Sequence, residues 1–205
     1  DEDRTMTEQT RAYHQEFGTW PSVETDVYNA VLAQVPRLLS FLDLKSPDIL
    51  VSVLELLAYF PDHRQGTETL TERVFSDPNA GDVPRVAAIE CLSDLARSVG
   101  LPSYDPVFER LLTPGNSPFV KAHAAAAMTA QTDTRFEHLL DALKNAPELY
   151  ALDRLYGRGS GWSVSDVLLA LKPWFQGHKD QICDAIIDSL PAAHKTGADT
   201  SGQVA

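Results

Sequence analysis

Apolar positions in the middle of this chain recur at three- and four-residue intervals, and the recurrence itself repeats about every 35 residues. Val86, Ile89, Leu92 and Leu95 or Ala96 fall on one stripe, the spacing of a helix that buries one face. The block at residues 49–57 aligns with residues 84–92, and both align with residues 120–128, at offsets of 35 and 36. A second half-motif lies upstream of each block: Pro36-Arg37-Leu38-Leu39, Glu72-Arg73-Val74-Phe75, Glu109-Arg110-Leu111-Leu112 and Glu137-His138-Leu139-Leu140. Each reads as a polar residue or proline, a basic residue or histidine, then two apolar residues. The basic position precedes the downstream block by 12, 11 and 10 residues, and a fourth block starting at Leu149 continues the series at 11. Strand-like alternation is missing from these segments. The pattern predicts helix, tight turn, helix and a variable connector, and a period of this length marks stacked helical repeats.

Punctuation agrees with the period. Ser46-Pro47, Asp82 and Ser117-Pro118 stand just before the downstream helices, where a side-chain oxygen accepts from free backbone N–H groups and proline is tolerated. Ser117 and Asp82 are the N-cap candidates. Asp77-Pro78-Asn79-Ala80-Gly81, Thr113-Pro114-Gly115-Asn116 and Gly100-Leu101-Pro102 are turn signals. After residue 161, residues 164–171 and 181–190 read as a looser helical pair, with Ile182, Ala185, Ile186 and Leu190 on one stripe and Pro173 and Pro191 as stops.

The second-helix blocks at residues 85–92 (Arg-Val-Ala-Ala-Ile-Glu-Cys-Leu) and 120–127 (Val-Lys-Ala-His-Ala-Ala-Ala-Ala) resemble the HEAT-repeat family. The resemblance covers roughly residues 27–157. It departs at Leu50, where the family favours a basic residue, and at Gly157, where it favours leucine. It implies an all-α chain: a right-handed α-solenoid of about four to five helical hairpins, with second helices lining the concave side. The expected organisation is an N-terminal extension or capping helix over 1–26, HEAT-like repeats over 27–157, a C-terminal helical pair or cap over 158–194 and a disordered tail over 195–205. Such a motif is specific for architecture and says little about activity.

Composition narrows the classes of partner. The chain carries 17 Lys and Arg against 29 Asp and Glu, a net charge of −12. That balance disfavours phosphate backbones and anionic membranes. Arg37, Arg73, Arg110 and His138 occupy equivalent positions and could form a basic row, although pairing with Glu72, Glu109 or Asp141 is the plainer reading. Two cysteines, Cys91 and Cys183, are too few for a disulfide framework and favour a reducing, cytoplasmic setting. No apolar run approaches the length of a membrane span, and the polar Asp1–Thr5 start does not read as a signal peptide.

No catalytic constellation stands out. The six histidines have no His or Cys at the spacing zinc needs. Gly157-Arg158-Gly159-Ser160-Gly161 lacks the lysine and spacing of a phosphate-binding loop and reads as a connector. Asp180, Asp184 and Asp188 recur every fourth residue and read as a solvated outer face.

Arg85 and Lys121 each fall in the first turn of a predicted helix, where a cation opposes the macrodipole. They are either rungs of an Asp–Arg ladder, as the resemblance implies, with Asp48 or Asp82 as acids, or contacts for an anion on the inner surface. His123 among alanines reads first as packed and hydrogen-bonded. Tyr59 and Trp162 are candidate aromatic anchors. Trp162 serves equally as an anchor or as a plug for the end of the stack, while Trp174 and Phe175 read as capping. The candidate binding residues are therefore Arg85, Lys121, His123, Tyr59 and Trp162, with no metal and no cofactor. The expected function is a non-catalytic scaffold that docks another protein. The alternative is a HEAT-like enzyme or enzyme accessory, resembling the DNA glycosylases or lyases built on such repeats, which would require a basic groove around a carboxylate or a bilin site.

Overall fold

The computed structural model describes residues 29–37, 46–99, 103–155 and 164–190. Every regular element among them is helical, and no strand is present among them. Residues 29–37 form α1. There follow α2 (Pro47–Leu57), a 3-10 turn (Pro61–His63), α3 (Arg64–Ser76), α4 (Asp82–Val99) and α5 (Asp105–Leu111). Then come α6 (Pro118–Ala127), α7 (Asp133–Lys144), α8 (Ala146–Leu155), α9 (Val164–Leu171), a second 3-10 turn (Lys172–Trp174) and α10 (Lys179–Ser189). Expectations for residues 1–26, 100–102, 156–163 and 195–205, including Trp162 and the 157–161 connector, lie outside the described residues.

The predicted punctuation is largely where the helices begin and end. Ser117 caps α6, its hydroxyl accepting from the Val120 N–H at 3.2 Å with Pro118 next in line. Ser46 stands at the N-cap of α2 through its carbonyl, which accepts from the Leu50 N–H at 3.0 Å. Asp82 differs from expectation. It is the first helical residue of α4, and the preceding Gly81 offers its carbonyl to the Arg85 N–H. The Asp82 carboxylate still lies at the positive end of the helix dipole, where it is favoured. Thr132 is a cap that the pattern did not flag; its hydroxyl accepts from the Arg135 N–H at 3.2 Å.

The chain divides into two compact units, residues 1–108 and 109–205. In the first, α4 is the central element and packs against α2, α3 and the 3-10 turn. The stripe of Val86, Ile89, Leu92 and Leu95 is buried, as its spacing predicts. A second side of α4, carrying Ala87, Ala88 and Cys91, is also buried, in the cluster that contains Leu50, Val53, Leu54 and Leu57 of α2 with Leu70 and Val74 of α3. Small side chains on that side let the helices approach closely, and the tight fit leaves few voids.

In the second unit α7 is the centre, packed chiefly against α6, α9 and α10. Its inward residues Phe136, Leu139, Ala142 and Leu143 are buried. Helix α8 begins one residue after α7 ends, so Asn145 alone makes the corner: its N–H bonds the Asp141 carbonyl, and its own carbonyl accepts from Leu149. The fourth repeat thus has both predicted helices, while α7 takes its main contacts from α6, α9 and α10 and only a lesser share from its sequential partner α8.

Candidate functional site

Arg85 sits in the first turn of α4, and its Nη2 donates to the carbonyl of Asp77 at 2.9 Å. Asp77 is the residue that ends α3. The cation that opposes the dipole of its own helix therefore meets the carbonyl end of the preceding one, where positive charge is stabilising. Arg135 repeats the device in the second unit. From the first turn of α7 its Nε reaches the Ala125 carbonyl in the last turn of α6 at 2.9 Å, and its Nη1 reaches the Ala130 carbonyl at 3.2 Å. It is 5 % exposed and its guanidinium lies 5.4 Å from the centre of the Trp174 ring, a cation–π contact strengthened by burial. Arg85 stands out in the sequence because Lys121 answers it one period on, whereas Arg135 lies at the start of the first helix of its pair and has no such counterpart.

Lys121 is half-buried on α6 and acts on His138 of α7. The His138 imidazole is held below its ordinary value by burial first and by the Lys121 charge next, against weaker upward pulls from Asp141 and Glu137. Two of the basic positions singled out by the repeat thus lie near each other. His123 is buried, with its ring 4.7 Å from that of Phe119 in an edge-on arrangement. It is a packed residue of α6, as its place among alanines predicts. Tyr59, just beyond α2, is 55 % exposed. Trp174 is buried against Phe136, ring centres 5.6 Å apart, while its neighbour Phe175 is 41 % exposed.

One polar cluster was not anticipated. Glu68 of α3 accepts at one carboxylate oxygen from Arg64 Nε at 2.7 Å and from the Tyr104 hydroxyl at 2.8 Å. Burial pulls the Glu68 carboxyl upward, but the bonds from Arg64 and Tyr104 outweigh it and hold the carboxyl below its usual range. Tyr104 is pushed up to about 12, by burial first and then by its bond to Glu68. Both groups are locked in their resting protonation states at neutral pH. The cluster therefore fastens the segment before α5 to α3 and is ill suited to exchanging protons with a substrate, since an acid–base catalyst works best with a pKa near the working pH.

The surface carries two apolar stripes. On α2, Ile49 is 61 % exposed and lies in line with half-buried Leu56, and exposed Tyr59 follows two residues past the helix end. On α10, Ile187 is 54 % and Leu190 43 % exposed, in line with exposed Cys183. A shallow depression of about 370 Å³ on α3 is lined by Gln65, Gly66, Thr69, Leu70 and Arg73. Among the described residues no group of three or more His, Cys, Asp or Glu side chains is placed to hold a metal ion. No described helix is long and apolar enough to cross a membrane.

No protein-family model, curated protein or solved structure matches the chain.

Proposed function

We propose that this protein is a helical-repeat docking module of HEAT type, which binds another protein through apolar side chains displayed on its second helices. The observation that carries the reading is the pair of stripes on α2 and α10. Helix α2 is the second helix of the first expected repeat and α10 that of the C-terminal helical pair, and each turns apolar side chains to solvent along its face or just past its C-terminal end. Apolar groups aligned in this way mark interaction surfaces more often than scattered ones do. The side-by-side packing of α2 and α4, with α3 against α4, is consistent with hairpins stacked in a solenoid. Free Cys91 and an exposed free Cys183 suit a reducing, cytoplasm-like compartment.

The test is capture of partners on the immobilised chain, compared with an Ile49→Asp/Tyr59→Asp variant and an Ile187→Asp variant of unchanged circular dichroism. A protein retained by the parent and lost with either variant supports docking. Recovery of nucleic acid or a small molecule with no protein sinks it and favours an enzymatic role.

A further inference from the structure

We propose that the outer face of α10 is the docking site for a basic amphipathic helix of a partner protein. This rests on the docking function proposed above and gives it a location and a partner chemistry. With 3.6 residues per turn, Cys183, Ile187 and Leu190 fall within roughly 60° of one another around α10. The same rotation places Ile182 and Ala185, the buried residues of this helix, on its inner side. All three stripe residues are exposed. The adjoining sector carries Asp180, Asp184 and Asp188, one per turn and all exposed. An apolar line flanked by a line of carboxylates is the complement of a helix with leucine-like residues on one edge and lysine or arginine on the next. At 11 residues, α10 presents roughly three turns to such a partner.

The charge pattern selects among occupants. A second copy seated on the same face would oppose aspartate to aspartate in a chain of net charge −12, and like charges across an interface are costly. An anionic lipid surface is repelled for the same reason. A basic helix alone gains from both sectors at once.

Cys183 makes the site directly measurable, because it lies in the stripe while Cys91 is buried. The probe is a synthetic amphipathic peptide of leucine and lysine, roughly 15 residues long so that it can hold a helix. Alkylation of the full chain by iodoacetamide is followed by intact mass. The peptide is expected to slow modification of Cys183 about tenfold or more at saturation, and an Asp180→Asn/Asp184→Asn/Asp188→Asn variant, or raised salt, is expected to weaken that protection about tenfold. The proposal is overturned by an unchanged rate, by equal protection from a scrambled peptide or from one with glutamate for lysine, or by protection from phosphatidylserine vesicles. A captured partner that ignores Ile187→Asp, with Cys183 unprotected, overturns this site while leaving the docking function standing.

Discussion

Arg135 Nε donates to the carbonyl of Ala125 at 2.9 Å, so a guanidinium in the first turn of α7 closes the last turn of α6. With its second bond to Ala130 and the Trp174 face beside it, this one side chain joins the end of α6, the connector after it and the 3-10 turn before α10. Replacing it with alanine strands two carbonyls and removes the cation–π contact, an expected loss of about 2–4 kcal/mol. Arg135→Lys keeps the charge but not the planar fork and is expected to recover only part of that loss. Urea unfolding midpoints of the two variants check both statements.

The Glu68 cluster gives the first unit a signature in pH. The Glu68 carboxyl is lowered in the folded state, so its stabilising contribution is present above its unfolded value near 4.5 and fades as pH falls through the lower folded value. Tyr104, raised to about 12, contributes stability that is complete below pH 10 and is lost between there and about 12. Tyr104→Phe removes a hydrogen bond worth about 1 kcal/mol. It is expected to flatten both limbs of the stability-versus-pH curve measured by denaturant unfolding.

His138 offers an independent check on the geometry of α6 against α7. Its imidazole is lowered by burial and by Lys121, so protonation favours the unfolded chain and stability declines as pH falls below about 6.5. Lys121→Met is expected to raise the His138 value while burial keeps it under 6.5. An NMR titration of the imidazole resonance reads this directly, and no upward movement would show that the two side chains do not face each other.

The cysteines are expected to behave oppositely. Burial, and then the charge of Asp94, push the Cys91 thiol up to about 12, whereas Cys183 is exposed. Since the thiolate is the reactive form, iodoacetamide at pH 8 is expected to add one label to the native protein and two to the unfolded one. Two native labels would place Cys91 outside the core.

Much of this architecture is legible in the sequence because helix period, proline and N-cap residues are local signals. Ser117, the turns at 77–81 and 113–116, and the buried stripe from Val86 to Leu95 all follow from residues within a few positions of one another. What escaped depends on distance. Burial of Ala87 and Ala88 was missed because alanine is indifferent to burial in a pattern and is decided by its neighbours. Tyr104 and Glu68 are 36 residues apart, and nothing local links them. The identity of α7 as the centre of its unit follows from packing by α9 and α10, which no spacing encodes. Of the residues first singled out for binding, Tyr59 is displayed, His123 is interior and Arg85 is engaged with the end of α3.

Because a guanidinium reaches across from the following helix at 77–85 and again at 125–135, neither connection relies solely on the composition of the turn itself. The acceptors at Asp77 and Ala125 are main-chain carbonyls, which every residue type carries, so the clasp depends on the arginine and on the path of the backbone more than on the identity of the side chains it bridges.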